Sequence, residues 1–108
     1  MQCAVIDIGT NTFHLIIAKK SEKNPLEIIH KETVPVRLGE DSFPGGKIKP
    51  VAFNRGVKTM IDFNKKIKDH NIDLIKAVAT ESLRRAGDSK NFIDTVVLKT
   101  GIEIEVIA

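Results

Sequence analysis

The stretch from Asp7 to Thr12 collects side chains that can hold a phosphate group. It reads Asp-Ile-Gly-Thr-Asn-Thr and lies between two apolar segments, Ala4–Ile6 and Phe13–Ala18. Glycine and asparagine favour a tight reversal of the chain. Threonine hydroxyls, an asparagine amide and backbone N–H groups can together donate hydrogen bonds to phosphate oxygens. The sequence therefore predicts an anion-binding turn. Its predicted phosphate-binding residues are Gly9, Thr10, Asn11 and Thr12.

Asp7 is the one acidic group in this stretch, and its carboxylate would repel a bare phosphate. Its position makes sense if a cation or an ordered water lies between the two groups. We therefore expect Asp7 to meet a metal ion, through water. The same six residues also fit an ordinary β-turn in which Asp7 is a local cap, and that alternative needs no ligand.

A second polar group follows a short apolar segment, Asp73–Ala79. Thr80 can cap the start of a short helix that Gly87 ends. A strand that leads into a helix N-terminus suits an anion, and Arg84, one turn into the helix, can reach the same anion. Without a ligand, Thr80 is a simple cap and Glu81 stabilises the first turn. The pattern by itself favours this second interpretation.

Three segments of the chain resemble the exopolyphosphatase/guanosine pentaphosphatase family, which belongs to the actin-like superfamily. Asp7–Thr12, with Leu15 after it, is similar to the first phosphate loop of that family. Ala79–Ala86 resembles the family segment Ala-Thr-x-x-x-Arg-x-Ala, and Thr100–Ile107 resembles the strand that follows it. The three matches occur in order and cover nearly the whole chain.

The resemblance implies hydrolysis of a terminal phosphoanhydride bond of polyphosphate, or of the 5′ phosphate of guanosine pentaphosphate. Magnesium would offset the charge of the phosphates. The turn and Arg84 would bind phosphate. The candidate substrate contacts are His14, Arg37, Thr80 and Glu81. For His14 the alternative is a strand residue hydrogen-bonded at the sheet edge, and for Arg37 it is an exposed residue on a mobile connector.

The chain stops before the catalytic groups of that family. There, the general-base glutamate lies after the strand that matches Ile102–Ile107, and a second, glycine-rich phosphate loop comes later still. Glu103 and Glu105 lie within the strand and do not replace that base. The resemblance thus implies a single domain, residues 1–108, that is the truncated N-terminal lobe of a larger phosphatase. We expect the general base after Ala108, in a cleft shared with a second lobe, and no catalysis by this lobe alone.

Apolar runs and chain breakers predict the elements that must position these groups. The predicted strands and helices are Met1–Ile8, Phe13–Lys19, Leu26–Leu38, Pro50–His70, Asp73–Ala79, Thr80–Ala86, Lys90–Thr100 and Ile102–Ala108. Counting the long helices, the order is β-β-β-α-β-α-β. This order predicts an α/β fold, a mixed sheet with helices in the ribonuclease-H-like topology, with the first strand at the centre.

Four details of these elements are also predicted. The nearly continuous apolar run of the first strand favours burial on both faces. Pro35 indicates an edge strand or a bulge. Gly56 lowers the stability of the long helix, and Asn71 can end that helix in the left-handed conformation.

Composition sets broad limits on function. The chain has 108 residues, of which 42% are hydrophobic and 29% charged, as in one small globular domain. The net charge of +3 is spread out, and Lys58, Lys65, Lys66 and Lys68 predict a solvated helix face, not a nucleic-acid site. A single cysteine excludes an internal disulfide. With no signal-peptide pattern or bilayer-length apolar run, we expect a cytoplasmic protein.

Two other functions stay open at this point. An actin-like ATPase or sugar kinase lobe shares the first phosphate loop and would bind a nucleotide. A non-enzymatic interaction module of the same topology would show no preference for anions at the turn. An apolar face left exposed where a second lobe should pack would favour a homodimer.

Overall fold

Five strands and two long helices form the part of the chain that the computed structural model describes, which is residues 1–23, 25–39, 47–79 and 89–107. In chain order they are β1 (Gln2–Ile8), β2 (Phe13–Lys19), β3 (Glu27–Val34), α1 (Pro50–Lys68), β4 (Leu74–Ala79), α2 (Ser89–Thr100) and β5 (Ile104–Val106). The predicted order β-β-β-α-β-α-β is confirmed. The short helix predicted at 80–86 lies outside the described residues.

The strands form one mixed sheet with β1 at its centre. The spatial order is β3-β2-β1-β4-β5. β1 pairs antiparallel with β2 and parallel with β4, β3 pairs antiparallel with β2, and β5 pairs parallel with β4. An antiparallel meander followed by parallel crossovers is the ribonuclease-H-like topology, as predicted. The apolar first strand takes the central position, with a hydrogen-bonded strand on each side.

Both described helices contribute to the core on one face of the sheet. The alternate residues of β1 and β2 that face the helices are fully buried: Ala4, Ile6, Ile8, Phe13, Leu15 and Ile17. They join one cluster with Met60 and Phe63 of α1 and with Phe92 and Val96 of α2. Neither of the described helices is long and apolar enough to cross a membrane.

The prediction that β1 is buried on both faces was wrong for the described residues. Val5 is 39% exposed, and Leu74 of β4, which pairs with Cys3, is 55% exposed. Asp7 on the same strand is also exposed. The side chains of β1 alternate between the two faces, and the described helices cover only one of them. The apolar run in the sequence does not reveal this, because it contains apolar residues on the open face as well.

The third strand differs in length from its prediction. β3 ends at Val34, before Pro35, which has no N–H group for the ladder. The edge position that Pro35 indicated is confirmed, since β2 is the only partner of β3 among the described strands. The irregularity in the ladder lies elsewhere, opposite Ile17 and Ala18.

The helix ends agree with the sequence in two of three places. α1 begins at Pro50, as predicted, and ends at Lys68. Asp69 closes it in the right-handed conformation, and Asn71 does not adopt a positive φ, so that prediction was wrong. Gly101 ends α2 as predicted, with a φ of +75°.

One lysine of the long helix, Lys66, is partly buried and makes an ion pair. Lys66 donates a hydrogen bond to Glu32 of β3, and His30 Nε2 lies 3.2 Å from the same carboxylate oxygen. The hydrogen bond from Lys66 lowers the pKa of Glu32 below its usual value, against the opposing effect of burial, and His30 acts in the same direction as Lys66. This contact ties α1 to the edge strand, whereas Lys58, Lys65 and Lys68 are exposed as predicted.

Candidate phosphate-binding site

The turn between β1 and β2 is tight and depends on its glycine. Gly9 donates its N–H to the carbonyl of Thr12 at 3.0 Å, which closes a four-residue turn. A Cβ added to Gly9 would lie 3.0 Å from that same carbonyl oxygen. This is closer than a side chain is normally found, so the turn in this form requires glycine.

A second segment, residues 35–39, is hydrogen-bonded to the outside of the turn. Arg37 donates its N–H to the carbonyl of Asn11 at 2.8 Å, and Gly39 donates its N–H to the carbonyl of Thr10 at 3.1 Å. The carbonyls of Thr10, Asn11 and Thr12 are thus occupied. In the described ranges no acceptor takes the N–H groups of Thr10, Asn11 or Thr12. These N–H groups are therefore available as hydrogen-bond donors, which is what an anion site would require.

Arg37 is held in an unusual backbone conformation beside this turn. Its φ is +54°, the only positive value of a non-glycine residue in the part of the chain that the structure describes. Val36 and Leu38 on either side are fully buried, and Arg37 is exposed between them. A non-glycine residue in this region costs about 1–3 kcal/mol and persists only when its surroundings fix it. The segment thus presents a guanidinium at the turn from a fixed backbone.

The turn and this segment border a cleft of about 420 Å³. Its lining residues are Asn11, Thr12, Pro35 and Arg37. An amide, a hydroxyl and a guanidinium are all donors to phosphate oxygens, so the cleft suits an anion. A cavity of similar size, about 450 Å³, lies near the start of β4 and the ends of both helices, and it contains none of the predicted site residues.

Asp7 and His14 lie opposite each other, one pair into the sheet from the turn. His14 is also opposite Thr33 of β3, and its Nδ1 lies 3.1 Å from the Thr33 hydroxyl oxygen. His14 is therefore on an interior strand and not at the sheet edge. Among the described residues no three histidine, cysteine or acidic side chains come together to hold a metal. A cation at Asp7 would need water or phosphate oxygens as its other ligands.

β4, the strand before the second predicted phosphate segment, ends beside the turn. Ala79, the residue before Thr80, pairs with Ile8, the residue before Gly9. The pairing brings the end of β4 beside the start of the turn. The predicted contacts themselves, Thr80, Glu81 and Arg84, lie outside the described residues.

The sequence alone did not identify Arg55 of α1 as part of this arrangement. Its Nε donates a hydrogen bond to the carbonyl of Val36, and its Nη2 donates one to the carbonyl of Arg37 at 3.3 Å. Its own carbonyl accepts a hydrogen bond from the hydroxyl of Thr59. A usable signal was its helical spacing from buried Ala52 and Thr59, which brings a charged group to the border of the core.

Comparisons with known proteins agree over nearly the whole chain. Residues 15–108 match the model of the Ppx/GppA phosphatase family. Exopolyphosphatase 1 of Mycobacterium leprae is 27% identical over 107 residues, which are 99% of this chain and 32% of that protein.

Two solved structures are also similar. The Aquifex aeolicus member of the Ppx/GppA family gives a TM-score of 0.93 at 30% identity, over 99% of this chain and 35% of that one. An exopolyphosphatase from Cytophaga hutchinsonii gives a TM-score of 0.94 at 29% identity, over 99% of this chain and 34% of that one. The chain thus spans about a third of the length of the relatives it matches.

Proposed function

The chain belongs to the Ppx/GppA phosphatase family, and we propose that it is the phosphate-binding N-terminal lobe of an exopolyphosphatase-type hydrolase. Its substrate in this proposal is the terminal phosphate of inorganic polyphosphate, with the 5′ phosphate of guanosine pentaphosphate as the alternative. The relatives named exopolyphosphatase are the support for the first choice. The bond cleaved is a phosphoanhydride in polyphosphate.

The main support for this proposal is that the turn's carbonyls are hydrogen-bonded within the described part of the chain while most of its N–H groups are not. The carbonyls of Thr10, Asn11 and Thr12 are occupied, whereas their N–H groups have no acceptor in the described ranges. Arg37 adds a guanidinium to the same cleft. Phosphoryl transfer depends on positioning and on neutralising charge more than on covalent chemistry. This lobe would thus bind and orient the terminal phosphate.

We also propose that Asp7 holds a magnesium ion through water. An exposed single carboxylate next to a phosphate site fits Mg²⁺, which keeps several waters and binds one or two carboxylates together with substrate phosphates. When bound, the ion would offset the negative charge of the phosphate chain. The general base is a glutamate outside residues 1–108 in this proposal, in a second lobe that closes the cleft.

An amide-shift NMR titration of the 108-residue chain with tripolyphosphate, with and without Mg²⁺, tests the proposal. We expect shifts concentrated in residues 7–12 and 37–39 and saturating with one site. Thr12→Ala should weaken binding several-fold, because it removes a hydroxyl donor from the cleft. Thr95→Ala, a matched change on α2 far along the chain from the turn, should leave the affinity unchanged.

Three outcomes would contradict the proposal. Shifts scattered over exposed lysines, and equal in the Thr12→Ala variant, would mean diffuse charge attraction only. Absence of any binding would favour the non-enzymatic interaction module. A stronger response to ATP than to tripolyphosphate at the same residues would favour an actin-like ATPase or sugar kinase lobe.

A further inference from the structure

We propose that Arg55 is a positioning residue that fixes the backbone of Arg37, thereby holds the Arg37 guanidinium at the cleft, and in this way raises the affinity of the site for phosphate. It would do so without touching the ligand, because the cleft is lined by other residues. This role depends on the anion site proposed above.

The two hydrogen bonds of Arg55 hold adjacent carbonyls of the segment. Nε contacts the carbonyl of Val36, and Nη2 contacts the carbonyl of Arg37. The planar guanidinium presents several N–H donors in a fixed arrangement, so one side chain can hold two neighbouring peptide groups. Arg55 is half-buried, which partly shields its bond to Val36 from water, whereas its bond to Arg37 is exposed.

The backbone of Arg37 is consequently fixed from both sides. Its N–H is bound to the carbonyl of Asn11 in the turn, and its carbonyl is bound to Arg55 of α1. These contacts connect α1, residues 35–39 and the turn through a continuous series of hydrogen bonds. Arg55 therefore acts on the same residue that the turn itself contacts.

Close packing of α1 brings Arg55 within reach of these carbonyls. A Cβ added to Gly56, the next residue, would lie 3.2 Å from Leu38 Cδ1 and 2.9 Å from Cε1 of Phe92. The absence of a side chain at Gly56 thus lets the helix approach the segment that carries Arg37. Leu38 and Val36 are fully buried and anchor that segment in the core. We therefore expect the loss of Arg55 to change the backbone conformation of Arg37 and to leave the overall fold intact.

The left-handed conformation of Arg37 gives the expected size of the effect. Without the two hydrogen bonds, the residue can relax to a more favourable φ, by about 1–2 kcal/mol. Apparent affinity falls in proportion to the fraction of molecules that keep the binding conformation. Removal of the two hydrogen bonds from Arg55 to residues 36 and 37 should thus weaken phosphate binding by roughly 5- to 30-fold.

The test is a double-mutant cycle on the 108-residue chain, with tripolyphosphate affinity measured by calorimetry. The variants are Arg55→Lys, Arg37→Gln and the two together. Lysine keeps the charge but lacks the planar group that bonds two carbonyls. We expect Arg55→Lys to weaken binding roughly 5- to 30-fold in the wild-type background and less than about twofold in the Arg37→Gln background.

Two further measurements separate positioning from a purely structural role. Lys58→Arg makes the reverse exchange at an exposed site on the same helix and should leave affinity within about twofold. In the absence of ligand, Arg55→Lys should shift the amide signals of Arg37 and Gly39 while those of β1 and β4 stay in place. If Arg55→Lys does not fold, Arg55→Gln, which keeps one N–H donor group, enters the same cycle.

The outcomes are distinct for the two proposals. If the wild-type chain does not bind tripolyphosphate, the proposed function fails, and this inference fails with it. If the wild-type chain binds and Arg55→Lys binds equally well, only the role of Arg55 is overturned. An equal loss in the wild-type and Arg37→Gln backgrounds would also overturn it, because Arg55 would then act independently of the Arg37 guanidinium.

Discussion

At the scale of single residues, positions 9 and 101 both require glycine, but for different reasons. An alanine Cβ at Gly9 would crowd the carbonyl of Thr12 that closes the turn. We expect Gly9→Ala to open this hydrogen bond and to lower tripolyphosphate affinity about fivefold, the equivalent of about one hydrogen bond. Calorimetric titration of the folded variant measures this effect.

Gly101→Ala is the matched control for that substitution. Among the described residues, apart from its two chain neighbours, nothing lies within 4 Å of a Cβ at this position, but its φ of +75° strains any other residue. Gly101→Ala should thus lower the free energy of unfolding by about 1 kcal/mol and leave tripolyphosphate affinity unchanged. A loss of affinity as large as that of Gly9→Ala would mean that both changes act through global stability.

At the scale of elements, the contact between α1 and α2 depends on Gly56. The ring of Phe92 lies within 2.9–3.0 Å of the position that a Cβ on Gly56 would take. That ring is fully buried and packs edge-on against Phe53, with centroids 5.3 Å apart, so it has little room to move. Gly56 is costly for helix formation, but it permits this close packing.

Gly56→Ala should therefore destabilise the fold although alanine favours helix. The gain in helix propensity is about 1 kcal/mol, and overpacking of a core costs about 1–3 kcal/mol. We expect a net loss of about 1 kcal/mol in the free energy of unfolding, measured by urea denaturation. Asn54→Ala, at an exposed site on the same helix, is the control and should be neutral or stabilising. An increase in stability with Gly56→Ala would show that Phe92 moves aside easily.

The contact between α1 and β3 makes stability depend on pH. Lys66 bonds Glu32 and lowers its pKa in the folded chain relative to the unfolded chain. A lowered pKa gives stability that is present above the usual glutamate value, about 4.3, and that is lost as the pH falls through the folded value. Glu32→Gln should make the decline of unfolding free energy below about pH 4.3 less steep than in the wild type. Glu27→Gln, on the same strand, is the control, and an equal change in both variants would contradict this role of Glu32.

At the scale of the whole molecule, the strand order follows from local sequence signals. The apolar β1, the polar turns after it and the alternation of helix and strand predict a mixed sheet with β1 at the centre. The same signals predict that β4 runs parallel to β1, and the pairing of Ile8 with Ala79 confirms that β4 ends beside the turn after β1. These features are predictable because neighbouring residues determine them.

Contacts between distant segments were not predictable in this way. Arg55 binds backbone carbonyls of residues 36 and 37, and any sequence there would offer the same carbonyls. The pairing of Lys66 with Glu32 spans 34 positions and depends on how α1 packs on the sheet. Exposure of one face of β1 depends equally on which elements cover the sheet. Each of these features is a property of tertiary packing, which residue type and spacing do not specify.

The arrangement of donors also predicts what the 108-residue chain does by itself. The described cleft residues Asn11, Thr12 and Arg37 can bind phosphate, but none of them can take a proton from an attacking water. In-line displacement needs such a base on the side opposite the leaving group. We expect the chain to bind tripolyphosphate with Mg²⁺ and to release no phosphate above a blank without protein. A longer protein that includes a second lobe should hydrolyse the same substrate, and Thr12→Ala should weaken its activity. Turnover by the 108-residue chain that disappears with Thr12→Ala would contradict this assignment and would require a base within the chain itself.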